Sequence, residues 1–137
     1  MKNSLIRANC LAVLMAASSL VGVKAAQVLQ SAGPLAFAPG GVLIAADPKA
    51  AALVSVKTGD ASGSGGAKVS IDGVNSKIAA LLGTSADAVR IIDLAVNPES
   101  QHAYLSVARG RGADAAAVIV KVDGEGDLSV VKLDESK

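Results

Sequence analysis

Three carboxylates, those of Asp123, Glu125 and Asp127, alternate with glycines near the C-terminal end of the chain. Alternating oxygen ligands open the loops that bind Ca²⁺, and Asp134 falls at the twelfth place, where those loops carry their last acidic ligand. The sixth place, however, holds Leu128, where the sharp turn of such a loop requires glycine. Because Asp-Gly is the strongest signal for a short hairpin turn, a hairpin is the favoured interpretation and a metal site is the alternative. No cofactor is expected.

His102 is the only histidine of the chain. It is the side chain that a nucleophile–base pair would need, because no other ordinary side chain titrates near neutrality. It follows Glu99, Ser100 and Gln101 in a turn between two apolar runs. No paired nucleophile is evident, so the favoured interpretation is an exposed turn residue.

Two further aspartates, Asp47 and Asp93, stand at the ends of apolar runs. If loops brought them together, they would have the chemistry of a general acid and a general base. The structural alternative, which we favour, is that Asp47 caps the turn before Pro48 and that Asp93 is a solvated or capping carboxylate.

A basic loop tip is formed by Arg109 and Arg111, which alternate with glycines. Arginines in a turn are usually solvated, although such a tip can contact an anionic partner. No catalytic residue can be assigned, and an enzyme is the less favoured interpretation. The candidate ligand or partner loops are those that carry Asp47, His102, Arg109 and Arg111.

The elements that must position these residues come in two similar runs. Leu35–Pro39 reads Leu-Ala-Phe-Ala-Pro, and residues 94–98 read Leu-Ala-Val-Asn-Pro. Each copy is followed by a turn, a second apolar run, a loop and an alternating run, which is the order of a repeated antiparallel sheet. The predicted strands of the first unit cover residues 35–38, 42–46, 53–57 and 68–72. Those of the second unit cover residues 93–96, 103–107, 118–122 and 128–133.

A short helix is predicted between the two units. Ile78, Leu81 and Leu82 lie at helical spacing, Asn75 or Ser76 can cap the start, and a glycine closes the end. We expect this helix over about residues 75–83, packed against one side of the sheet.

The first 25 residues have the pattern of a secretory signal peptide. Lys2 and Arg7 precede the apolar stretch 11–23, and small residues stand before a cleavage site after Ala25. The alternative, a membrane anchor, is disfavoured because the apolar run is short of the roughly 20 residues that a span requires. We therefore expect a secreted or periplasmic protein that is not stably inserted in a membrane after cleavage.

Removal of the signal changes the charge and the cysteine count. Of the 13 basic residues, Lys2, Arg7 and Lys24 leave, so that 10 face 12 acidic residues and the net charge is −2. No basic stripe supports nucleic-acid binding. Cys10 also leaves, which excludes disulfides and thiolate zinc sites from the mature chain.

The two runs together resemble blades of bacterial surface β-propellers of the YVTN or NHL type. The residues that carry this resemblance are 35–47 with 53–56 in the first unit, and 93–98 with 103–107 and 119–123 in the second. The resemblance implies a mainly β fold with two four-stranded antiparallel propeller-like blades and the one short inserted helix. The expected domain is a partial propeller over residues 26–137. It consists of blade one over 33–74, a helical insertion over 75–90 and blade two over 91–134.

The expected function depends on the predicted number of blades. Known propellers close with roughly four to eight blades, so two blades predict either an N-terminal portion of a longer propeller or self-association through open blade edges. The favoured function is an exported binding or scaffold module for an unknown protein or small-molecule ligand. Two alternatives stay open: a fragment of a propeller hydrolase or lyase whose catalytic residues lie in other blades, and a small two-layer β domain that serves in assembly.

Overall fold

The computed structural model describes residues 29–63 and 68–133. The predicted signal peptide therefore lies outside the described residues, as does Asp134. In the described part of the chain, no helix is long and apolar enough to cross a membrane. The regular elements, in chain order, are β1 Leu35–Ala38, β2 Val42–Asp47, β3 Ala52–Lys57, α1 Val74–Leu82, β4 Val89–Val96, β5 Ala103–Arg109, β6 Ala116–Val122 and β7 Leu128–Val130, with 3₁₀ turns at Ala86–Ala88 and Gly112–Asp114.

The strands form two antiparallel sheets, each of which follows the order of the chain. Sheet 1 is β1-β2-β3 and sheet 2 is β4-β5-β6-β7. Pro39, which lacks an N–H for the ladder, ends β1, and Gly40 and Gly41 turn the chain with φ of 79° and 67°. In sheet 2 the register of β4 against β5 shifts between Ile91 and Asp93, which marks a β-bulge. The prediction of a mainly β fold with antiparallel strands in chain order is confirmed.

The predicted fourth strand of the first unit is wrong. Residues 68–72 form no strand, and sheet 1 ends at β3. Val69 and Ile71 instead lie against sheet 2. Ile71 packs against the apolar cluster of that sheet, and both side chains line an apolar groove. Alternation indicates that one side of a segment is buried, but it does not say against which neighbour.

The predicted helix is confirmed as α1. It starts after Gly73, and no side chain caps its first turn, so the prediction of a polar cap is wrong. At its end Gly83 adopts the left-handed conformation, and Thr84 N–H donates to the Ala79 carbonyl at 2.9 Å, which closes the last turn. The buried residues Ile78 and Ala79 hold α1 against sheet 2.

The central strand β5 of sheet 2 is buried on both of its faces. We call the face that carries Leu105 and Val107 its front, and α1 covers it. The back carries Tyr104 and Ile119 and packs on sheet 1. There the two aromatic residues of the chain meet, with the ring centroids of Phe37 and Tyr104 5.1 Å apart in an edge-to-face arrangement.

The two sheets stack front to back. Leu35 pairs with Ala45 in sheet 1, and the repeat aligns this pair with Leu94 and Leu105 in sheet 2. Leu35 and Ala45 face sheet 2, whereas Leu105 lies on the front, beneath α1. The front of sheet 1 therefore packs on the back of sheet 2.

Candidate functional site

Four side chains converge on one carboxylate oxygen between the sheets. Asp60 Oδ2 accepts hydrogen bonds from Ser100 Oγ at 2.9 Å and from Tyr104 OH at 2.9 Å. His102 Nδ1 lies 2.8 Å and Lys121 Nζ 3.2 Å from the same oxygen. Because an ionised carboxylate only accepts, Nδ1 is the protonated ring nitrogen of His102. We call these five residues the Asp60 cluster.

The cluster joins the two sequence units. Asp60 follows β3 of sheet 1, whereas its four donors belong to sheet 2 and to the loop between β4 and β5. Tyr104 and Lys121 are direct cross-strand partners on β5 and β6, so they present their polar ends on the same side of the sheet. Ser100 and His102 reach the same place from the turn before β5.

Backbone contacts fix the loop that carries the carboxylate. Thr58 Oγ1 donates to the Gly41 carbonyl at 2.7 Å and accepts from Asp60 N–H at 3.2 Å. Asn97, which is fully buried, donates from Nδ2 to the Asp60 carbonyl at 2.7 Å. Main chain and side chain of Asp60 are thus both held by hydrogen bonds within the protein.

The electrostatics of the cluster stabilise the ionised aspartate. Burial by itself would raise the pKa of Asp60, whose side chain is only 9% exposed, but the hydrogen bonds from His102, Tyr104, Ser100 and Lys121 outweigh it and lower that pKa to about 2. Burial and the neighbouring carboxylate raise the pKa of Tyr104 to about 12. At neutral pH the cluster therefore contains an aspartate anion and a neutral phenol.

The geometry of the cluster does not match a nucleophile–base pair. A serine nucleophile donates its hydrogen bond to the base, and the base is oriented by a third group. Here Ser100 Oγ and His102 Nδ1 both point to Asp60 Oδ2, and the contact between the two residues is from His102 N–H to Ser100 Oγ at 3.3 Å. The arrangement ties loops together, and its serine is not aimed at an imidazole.

Of this cluster, sequence analysis predicted a candidate role for His102 but did not identify the central residue, Asp60. His102 was expected to be an exposed turn residue, but its side chain is only 16% exposed, because the turn folds back over Asp60. The sequence around Asp60 does not mark it as the centre of a cluster, because an aspartate that follows glycine is ordinary turn chemistry. The available signal was the set of polar residues Asn97, Ser100 and His102 in a single loop.

The two candidate acid–base aspartates are bound separately to backbone groups. Asp47 Oδ1 accepts from Ala50 N–H at 3.1 Å, which confirms the expected cap, and also from Ser31 Oγ at 2.8 Å. Burial would raise the pKa of Asp47, but the bonds from Gln30, Ser31 and Ala50 lower it. Asp93 Oδ2 accepts from Leu35 N–H at 2.8 Å, so it links β4 to β1.

The alternating carboxylates form a hairpin turn. Asp123 Oδ1 accepts from Glu125 N–H at 3.1 Å and from Asp127 N–H at 2.9 Å, while Gly126 N–H donates to the Asp123 carbonyl at 3.2 Å. The carboxylate that would be the first ligand of a metal loop is thus already hydrogen-bonded to backbone N–H groups of the turn. Across residues 29–63 and 68–133, no three side chains of the metal-binding types gather at one point.

The basic loop tip is exposed, and its two arginines differ in their contacts. Arg111 Nη2 lies 2.6 Å from Asp87 Oδ2, with side chains that are 74% and 67% exposed. Arg109 ends β5 and is exposed. Arg111 borders a small polar cavity that Arg109 does not reach.

Comparison of this chain with protein-family models, with curated proteins and with solved structures found no match.

Proposed function

We propose that this protein is an exported, propeller-like binding or scaffold module without catalytic machinery. The observation that carries the proposal is the Asp60 cluster, in which all four polar side chains donate to one carboxylate that joins the two sheets. The side chains best suited to chemistry are thereby committed to holding repeated units together.

The front-to-back stacking supports the propeller-like part of the proposal. Blades of a propeller are repeated sheets that pack in one direction around an axis, with neighbouring first strands near that axis. Here β1 contacts β4, and Leu35 N–H donates to Asp93 Oδ2 between these two first strands.

The exposed surfaces support a binding or scaffold role. Helix α1 covers much of the front of sheet 2, in the place where another sheet would stack. The back of sheet 1 carries outward-facing Ile44 with its cross-strand neighbours Ala36 and Ser55. Leu53, at the edge of this face, is 76% exposed. We expect self-association through this back face.

Two measurements test the proposal. Light scattering of the chain from residue 26 should show a discrete assembly, and Ile44→Lys should shift it toward the monomer. Leu94→Lys is the matched control, because Leu94 is an exposed leucine on the opposite, front side of the stack. A monomer at every concentration would contradict the scaffold role.

The absence of catalysis is tested separately with ester and lactone substrates. We expect no turnover above the buffer rate for the wild-type chain. Saturable turnover that disappears in a folded His102→Gln variant would establish an enzyme instead. Export is checked by mass spectrometry of the protein recovered outside the cytoplasm, which should begin at Ala26.

A further inference from the structure

A polar cavity lies at the end of sheet 2 that is formed by the loop between β5 and β6. It has a volume of about 350 Å³ and is lined by Arg90, Arg111, Asp87 and the glycines Gly110 and Gly112, together with two alanines. This volume is at the lower end of the roughly 300–1,000 Å³ that small-molecule sites occupy. The cavity is therefore suited to a small organic molecule.

Positive charge predominates in this cavity. In the described part of the chain, Arg90 has no carboxylate within ion-pair distance, whereas Arg111 pairs with Asp87 at 2.6 Å. Both partners of that pair are exposed, so water and salt screen it and its contribution to stability is small. An incoming oxyanion can replace Asp87 on Arg111 at little energetic cost. Arg90 lines the same cavity and offers a second guanidinium group.

The strands and the loop determine which arginines face the cavity. Arg90 pairs with Ala108 and Val89 with Arg109 in adjacent strands, so alternation places Arg90 and Arg109 on opposite faces of sheet 2. Arg111 is then brought back toward Arg90 by the turn at Gly110, whose φ is 100°.

Two contacts hold the loop in place. Gly110 N–H donates to the Ala88 carbonyl at 2.8 Å, and Lys49 Nζ, from the turn between β2 and β3, donates to the Ala113 carbonyl at 3.1 Å. The loop that carries Arg111 is thus held by two hydrogen bonds to its backbone, which reduces the ordering that a ligand must induce.

We propose that this cavity binds a small organic anion through a carboxylate or phosphate group, with Arg90 and Arg111 as the donors and Asp87 as an intramolecular competitor. The planar guanidinium group matches the geometry of both oxyanions and can donate two parallel hydrogen bonds to either. This inference rests on the proposed binding role and gives it a ligand class.

The test is calorimetric titration of the full mature chain with glycerol 3-phosphate and, in a second arm, with succinate; glycerol is the uncharged control. Binding in either charged arm supports the proposal and identifies the oxyanion. We expect Arg90→Gln and Arg111→Gln to weaken binding about tenfold or more, as loss of a charge-assisted hydrogen bond does. Arg109→Gln, which removes the same charge outside the cavity, should change the affinity less than about twofold.

Replacing Asp87, the intramolecular competitor, gives the sharpest comparison of binding affinities. Asp87→Asn should tighten binding by about threefold or more, because the ligand no longer displaces a carboxylate from Arg111. Asp114→Asn removes an equal charge from the same loop, at a residue that does not line the cavity, and should have less than half of that effect.

Two outcomes would overturn the proposal: no heat with either anion, or equal weakening by Arg109→Gln and Arg111→Gln. Circular dichroism and thermal unfolding of each variant verify that these exposed substitutions leave the fold intact. Failure here leaves the proposed module untouched, since that proposal is judged by light scattering and by the absence of turnover.

Discussion

Replacing Asp60 by asparagine tests whether the cluster joins the two sheets. The amide is almost isosteric but carries no charge, so Lys121 loses its buried counter-ion and three further donors lose a strong acceptor. The pKa of Asp60 falls from 3.8 to about 2 on folding, which corresponds to about 2 kcal/mol of stability at neutral pH. Lys121, whose side chain is 26% exposed, is only partly buried, and the loss of its partner adds to this. We therefore expect Asp60→Asn to lose about 2–4 kcal/mol.

The pH dependence of this loss has a defined sign. Because the pKa of Asp60 is lower in the folded state, its contribution is fully present above pH 3.8 and declines as the pH falls through 3.8 toward 2. The difference in the free energy of unfolding between wild type and Asp60→Asn should therefore be constant from pH 7 to about pH 5 and should shrink toward pH 2.

Urea unfolding followed by far-ultraviolet circular dichroism measures this difference at each pH. Asp114→Asn is the matched control, because Asp114 is exposed and carries the same charge; its effect should stay within about 0.5 kcal/mol. A loss below about 0.5 kcal/mol for Asp60→Asn at pH 7, or a loss that is as large at pH 2 as at pH 7, would refute the reasoning.

Three further predictions concern single residues. Tyr104 is the only tyrosine, so its phenolate absorbance should titrate at a pKa of about 12, and a midpoint near 10 in the folded protein would disprove its burial beside a carboxylate. Gly41→Ala should destabilise more than Gly59→Ala in urea unfolding: both glycines have φ near 66°, but only at Gly41 would the new Cβ crowd the carbonyl of the cluster's aspartate, at 3.2 Å. Leu43→Ala, at a fully buried position, should lose about 2–5 kcal/mol, and Leu53→Ala, at an exposed one, less than about 0.5.

The sequence predicted the strands and the helix well where the local pattern also determines the partner. Strands β1 and β2 are separated by Pro39 and two glycines, and such a short connection leaves antiparallel pairing as the only choice. Helix α1 likewise follows from the spacing of Ile78 and Leu82. Residues 68–72 have an equally clear alternation, but Val69 and Ile71 lie against the apolar front of sheet 2 and this segment does not pair with the edge of β3.

The polar cluster was harder to predict because its members are distant in sequence. Ser100, His102 and Tyr104 lie 40, 42 and 44 residues from Asp60, and a lone aspartate after glycine is ordinary turn chemistry. Their convergence follows from how the two sheets pack, which local patterns do not encode. The cap formed by Asp47 was predicted correctly because Ala50, whose N–H it accepts, is three residues away. The bonds to Asp47 from Gln30 and Ser31 span 17 and 16 residues and could not be read from the local pattern.

The differences between the two copies explain why the units stack in one order. Where the first copy has Ala38, the second has Asn97, whose amide binds the Asp60 carbonyl and whose Oδ1 accepts from Glu99 N–H at 3.0 Å. Glu99 in turn accepts from Gly40 N–H at 2.7 Å, so the two equivalent turns contact each other directly. Two identical units would offer each other the same apolar faces in either order, since burial is not directional. The carboxylate belongs to the first unit and its donors to the second, and reversing the order would leave a buried charge without partners, which disfavours that alternative strongly.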